Sequence, residues 1–207
     1  MRHVLQTLAI VVGLGLVSLA TVVLLRPWMD RWGASEAELA AGLPGDELVP
    51  NPAAGYTRAV SIDATPPAIF PWLLQMGADR AGLYSYTVIE HLIRCPMVNA
   101  DRIHPEWQDL LVGDSVRMCP GDSGPPPFMV ALIEPERAIV MGHQNDDGSW
   151  SDVWQFVLIP RNDGSSRLVL RSREMLTGGI WEVIRPGVFV MTRGMLKGIK
   201  ARAEGQG

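Results

Sequence analysis

Val153-Trp154-Gln155-Phe156-Val157-Leu158-Ile159, the turn Asn162-Asp163-Gly164, and Arg167-Leu168-Val169-Leu170-Arg171-Ser172-Arg173-Glu174 together decide the fold. The first segment sets Trp154, Phe156 and Leu158 on one face and Val153, Gln155, Val157 and Ile159 on the other. Both faces are apolar, as in a strand covered on two sides. The turn holds Asp-Gly, which supplies the positive φ of a tight hairpin, so the two segments pair antiparallel. In the second strand Leu168 and Leu170 share one face, and Val169, Arg171 and Arg173 share the other. An inward arginine face offers a site for a lipid head group, and an outward one the usual solvated surface.

Working outward, further strands fall at Ser115–Cys119, Phe128–Ile133 and Ala138–Gly142, with short turn chemistry such as Glu134-Pro135-Glu136-Arg137 between them. A first strand runs from Tyr56 to Ala64. Thr65 and Pro66 then open a helix whose stripe is Ile69, Leu73 and Met76, with Pro71 expected to kink or split it. A second short helix spans about Tyr86 to Ile93. The chain closes with a helix from Pro186, well suited to a first turn, to Ala203, burying Val188, Met191, Met195 and Ile199. A strand, two short helices, a meander of strands and one long helix make an α+β fold. A curved antiparallel sheet around one helix leaves a hydrophobic cavity between them.

The N-terminal quarter has a different character. No charged side chain occurs from Val4 to Leu25, and roughly 22 residues at about 1.5 Å each span a hydrocarbon core of about 30 Å. Ser18-Leu19-Ala20 resembles a signal-peptidase site, but Thr21-Val22-Val23-Leu24-Leu25 continues the apolar run, so an uncleaved single-pass anchor is the expectation. Arg26, Trp28, Arg31 and Trp32 form an interfacial belt. The charges flanking the run are nearly balanced, which leaves the side of the membrane open. The divisions expected are an N-terminal tail (1–3), a transmembrane helix (4–25), a juxtamembrane belt, short helix and linker (26–55), the soluble domain (56–203) and a C-terminal tail (204–207). Within the linker, Ser35 and Glu38 fit a capping box ahead of a short helix over about 36–41.

A formal net charge of -4 offers no basic face for nucleic acid. Cys95 and Cys119 are either a disulfide in an oxidising space or two buried thiols in a reducing one. Gly121-Asp122-Ser123-Gly124-Pro125 echoes a serine-protease nucleophile loop, yet no histidine and carboxylate context accompanies it, and a turn is the better reading. His91, His104 and His143 sit on separate elements without ligand spacing, so neither metal nor cofactor is expected.

Several separated motifs carry a family resemblance: Arg26-Pro27-Trp28, Arg31-Trp32-Gly33-Ala34, Pro44-Gly45-Asp46-Glu47-Leu48, Gly82-Leu83-Tyr84-Ser85-Tyr86, Asn99-Ala100-Asp101-Arg102-Ile103, Pro105-Glu106-Trp107-Gln108, Val112-Gly113-Asp114 and Arg171-Ser172-Arg173. With these, the chain resembles the SRPBCC superfamily, the START and Bet v 1-like helix-grip domains that include polyketide cyclase-like proteins, and within it the bacterial membrane-anchored members. The resemblance implies a helix-grip domain with a cavity for a lipid, isoprenoid or polyketide-like molecule. The candidate ligand-binding residues are Tyr84, Tyr86, Glu90, Trp107, Trp154, Phe156, Arg171, Met191 and Met195. Glu90 is the one catalytic candidate, a weak one, because its neighbour His91 points about 100° away on the same helix. Binding of a hydrophobic ligand beside the bilayer is the expected function. A cyclase or aromatase-like enzyme, or a structural module recruiting a protein, are the rivals.

Overall fold

The computed structural model describes residues 24–121, 124–175, 178 and 180–205. The membrane span expected over Val4–Leu25 therefore lies outside the described residues up to position 23, as do Asp122 and Ser123 of the expected turn. Among the described residues no helix is long and apolar enough to cross a membrane.

Residues 24–30 form helix α1. Helix α2, Glu36–Ala40, begins with the expected capping box: the Glu38 amide donates to Ser35 Oγ at 3.2 Å, and the Ser35 amide to Glu38 Oε2 at 2.7 Å. Strand β1 (Ala54–Ile62) leads to α3 (Pro66–Leu74) and α4 (Thr87–Leu92). Strands β2 (Ser115–Val116), β3 (Phe128–Glu134), β4 (Ala138–Gln144), β5 (Trp150–Pro160) and β6 (Ser166–Glu174) follow, then helix α5 (Ile180–Ala203).

The strands form one antiparallel six-stranded sheet in the order β1-β6-β5-β4-β3-β2. The meander is thus consecutive from β2 to β6, and β1 closes against β6. The hairpin turns have the chemistry expected of them: Gly164 takes φ 83°, and Asp163 Oδ1 accepts from the Ser165 amide at 3.0 Å. One side of the sheet packs on α5 and α3 through Phe156, Leu158, Leu168 and Leu170 against Ile69, Leu73, Leu196 and Ile199.

Three expectations are corrected. Pro71 does not split α3, which runs through it to Leu74; in so short a helix one missing N–H is outweighed by burial of Ile69, Phe70, Trp72 and Leu73. Helix α5 starts at Ile180 and carries Pro186 inside rather than at its first turn; Arg185 in that added length reaches Asp30 of α1 at 3.6 Å. Strand β2 stops at Val116, ahead of Cys119, which forms a disulfide with Cys95.

The other side of the sheet is not solvated. Residues 33–50 cross it as a strap, packing Leu43 on Ala59, Val157 and Val169, and Val49 on Val140 and Val153. This is why β5 reads apolar on both faces. Gly33 lies so close over β1 that a Cβ there would meet Ala59 O at 2.1 Å, and its φ of 73° suits glycine besides. The three arginines of β6 hold the strap. Arg167 makes a two-pronged pair with Glu38 (2.7 and 2.8 Å). Arg171 donates to Glu38 O (2.7 Å), Ala41 O (2.9 Å), Thr57 Oγ1 (3.1 Å) and Asp46 Oδ2 (2.8 Å). Arg173 donates to Val49 O (2.7 Å) and Pro50 O (2.9 Å).

Candidate functional site

Antiparallel register carries the site. Tyr56 of β1 pairs with Ser172 of β6, Ser172 with Trp154 of β5, and Trp154 with Met141 of β4, so one row of side chains crosses the sheet on the side facing α5. The next row toward the open end holds Glu174, Asp152 and His143. Between these rows and the N-terminal half of α5 lies a cavity of about 520 Å³. Its walls are mainly apolar, with Trp154, Phe128, Val188, Pro125 and Pro126, and Tyr56, Ser172, Glu174, Arg185, His143 and Asp152 add polar atoms. The volume falls within the range of about 300–1,000 Å³ usual for small-molecule sites.

Aromatic packing shapes the wall. Phe128 sits against His143 (4.4 Å between centroids) and Trp154 (5.3 Å), and Trp154 meets Phe156 edge-on at 6.2 Å. His143 Nδ1 lies 2.8 Å from Asp152 Oδ2, and its Nε2 lies 3.1 Å from Pro126 O. Two acceptors are best served by an imidazolium that donates from both nitrogens. The Asp152 hydrogen bond accordingly raises the His143 pKa, against the opposing effect of burial, with help from the Pro126 carbonyl. With both nitrogens engaged, the ring holds the Pro125-Pro126 wall in place and presents no lone pair to the cavity. Ser151 Oγ donates to His143 O (3.1 Å) rather than to the imidazole, so no activated hydroxyl is assembled.

The expected ligand residues divide. Trp154 lines the cavity, and Phe156 supports it from the core at 1% exposure. Tyr84 is buried in the core with its hydroxyl donating to Trp72 O at 3.0 Å. Tyr86 packs against Gly194, and Met195 is in the core. The main-chain carbonyl of Met191 accepts from Ser85 Oγ at 3.1 Å. Trp107 stacks on His104 at 4.3 Å. Tyr84 and Tyr86 meet the C-terminal half of α5, at Gly198 and Gly194, whereas the cavity opens at Arg185 and Val188. Arg171 faces the strap, on the opposite side of the sheet from the cavity, because period-2 alternation sets it with Val169 and Arg173.

Glu90 lies outside the cavity too. It is fully buried; Asn99 Nδ2 donates to its Oε2 at 3.0 Å, and its Oε1 has no hydrogen-bond partner among the described residues. Asn99 also accepts from the Tyr84 amide, so the polar tract 84–108 pins its own loop. Burial raises the Glu90 pKa, partly opposed by the Asn99 hydrogen bond. A raised folded-state value means that stability from the protonated acid is full below the unfolded pKa and is lost as pH rises through the folded one. Glu90→Gln is therefore expected to raise the melting temperature at pH 8 and leave it nearly unchanged at pH 4, read by thermal scans at both. A lower melting temperature at pH 8 than in the wild type would contradict this assignment.

Tyr56, Ser172, Glu174, Asp152 and Arg185 were not singled out from the sequence, and His143 was weighed only as a metal ligand. The alternation already traced in β5 and β6, extended by one step to Asp152 and Ser172, places two of them on the correct face. Only the sheet order joins them to Tyr56. Among the described residues no group of three His, Cys, Asp or Glu side chains is placed to hold a metal ion.

No family model matches the chain. No curated protein matches it either. Among solved structures, the chain is similar to the Aha1 dimer from Colwellia psychrerythraea (13% identity, 74% of this chain and 98% of that one, TM-score 0.46). It is similar also to CalC, a self-sacrificing resistance protein from Micromonospora echinospora (10% identity, 74% and 96% covered, TM-score 0.46). A third is protein MLL2253 from Mesorhizobium loti (17% identity, 73% and 98% covered, TM-score 0.43). At such identities function does not carry over.

Proposed function

We propose that this chain is a membrane-anchored, SRPBCC-like binding domain that takes a hydrophobic small molecule, a lipid, isoprenoid or polyketide-like compound, into the cavity between its sheet and α5. The observation that carries this reading is the cavity of about 520 Å³ with its mainly apolar wall. Placement beside a bilayer draws support from the apolar run that leads into α1 and from exposed Leu24, Leu25 and Trp28 there, with exposed Val183 and Ile184 at the start of α5. The Cys95–Cys119 disulfide favours a domain on the oxidising side of the membrane.

The enzyme reading asks for an acid or base with a free face toward the ligand. Glu90 is outside the cavity, both His143 nitrogens are engaged, and the lining carboxylates Glu174 and Asp152 already accept from Ser172 and His143, so binding is favoured. A recruiting module needs no cavity at all.

Native mass spectrometry of the detergent-extracted full-length chain tests the proposal. An apolar mass should travel with the wild type, and Val188→Trp, which fills the cavity, should cut its occupancy about tenfold, the equivalent of a modest overpacking cost. An empty wild type, or an occupant indifferent to Val188→Trp, would sink the idea.

A further inference from the structure

Tyr56 stands out on the cavity wall. Its side chain is 6% exposed, and its hydroxyl has no hydrogen-bond partner of full geometry among the described residues, although the Ser172 hydroxyl lies near enough to pull on its proton. Ser172, directly across the strand pair, already sends its hydroxyl to Glu174 Oε1 at 2.9 Å. The phenol ring is fixed from behind by Arg58, whose Cζ lies 3.7 Å from the ring centroid and whose Nε donates to Met29 O at 2.9 Å. Burial, the largest influence on the phenol, drives its pKa upward, so it is a protonated donor at neutral pH. An unpaired buried hydroxyl costs stability, and a cavity wall is where a ligand can repay it.

Building on the cavity reading above, we infer that Tyr56 is the polar anchor of the site and that the ligand is a neutral, mainly apolar molecule bearing an accepting oxygen, such as a ketone, ester or alcohol. The charges on the walls are balanced, so no spare cation is offered to an acidic head group. The carboxylates of Glu174 and Asp152 face the same space as Arg185 and His143. Asp152 is bonded to His143, Arg185 lies 3.6 Å from Asp30, and Glu174 sits beside Ser172, the cross-strand partner of Tyr56. An anion delivered to Tyr56 meets Glu174 at close range and finds Arg185 and His143 already engaged by Asp30 and Asp152. A neutral oxygen accepts the Tyr56 proton without that repulsion, and the hydrocarbon remainder fills the space between Trp154, Phe128 and Val188.

The test pairs two probes of similar shape, 2-acetylnaphthalene and 2-isopropylnaphthalene, titrated calorimetrically into the full-length wild type and Tyr56→Phe in the same detergent. Partition into micelles is common to both variants and cancels in their ratio. The wild type should prefer the ketone over the hydrocarbon, and Tyr56→Phe should reduce that preference about fivefold, the size of one neutral hydrogen bond. The variant should melt at or above the wild-type temperature, since it deletes a buried hydroxyl that has no partner of full geometry. A preference unchanged in Tyr56→Phe overturns the anchor while leaving the cavity reading intact. Failure of both probes to bind the wild type overturns both.

Discussion

Arg171→Met should destabilise the domain by about 3–5 kcal/mol, the usual cost of breaking a buried charge pair from one side. The side chain is 6% exposed and serves three main-chain carbonyls of the strap, those of Glu38, Leu39 and Ala41, as well as the Thr57 hydroxyl and Asp46. Methionine keeps the stem that packs under the strap but leaves the carbonyls of Glu38 and Ala41 and one oxygen of Asp46 without this donor. Urea denaturation measures the loss. Arg137→Ala is the control, because its pair with Glu134 is at the surface with the arginine 63% exposed, and the change there should be under about 1 kcal/mol. Equal midpoints for the two variants would show that the strap contributes nothing to the fold.

The same clamp has an acid limit. Burial pushes the Asp46 carboxyl upward, but the Leu43 amide, the Gln155 side chain, Arg171 and Arg173 together hold it below its ordinary value. Glu38 is likewise raised by burial and brought below its usual range by Arg167 and Ser35. Lowered folded-state values give stability that is complete above the unfolded carboxylate pKa, about 4, and lost as pH falls further through the folded ones. In Arg171→Met the Asp46 share of that acid loss should shrink.

Removing the Cys95–Cys119 bridge should cost about 3.5 kcal/mol on the loop-entropy account, given the 24-residue separation it closes. The bridge ties the end of α4 to the segment after β2, across the long irregular tract that otherwise depends on Asn99, Arg80 and Gln75 for its backbone partners. Cys95→Ala with Cys119→Ala avoids exposing thiols. Its unfolding midpoint should match that of reduced wild type, and a midpoint equal to that of the oxidised protein would show that the native loop is held by its hydrogen bonds alone.

The hairpins were legible because period-2 alternation and Asp-Gly turns are local properties. The Ser35 and Glu38 cap was legible for the same reason. The doubly apolar β5 even announced that something covers its second face. What covers it was not legible, since Glu38, Asp46 and the carbonyls of the strap meet Arg167, Arg171 and Arg173 only after the chain has folded back across more than a hundred residues. Arg171 thus looked like a ligand group and is a fastener.

By itself the sequence determined the element order, the α+β class, the pairing of successive strands and the presence of one long closing helix, all of which follow from short-range periodicity and turn chemistry. Tertiary structure alone decided the site. Tyr56, Ser172, Trp154 and Val188 come from β1, β6, β5 and α5, and the antiparallel register that aligns the first three, with the stretch of α5 left unfilled by side chains, is a property of the packed sheet. The polar tract 84–108 drew attention by its composition, but a long ordered loop needs partners for its backbone, and those polar side chains supply them.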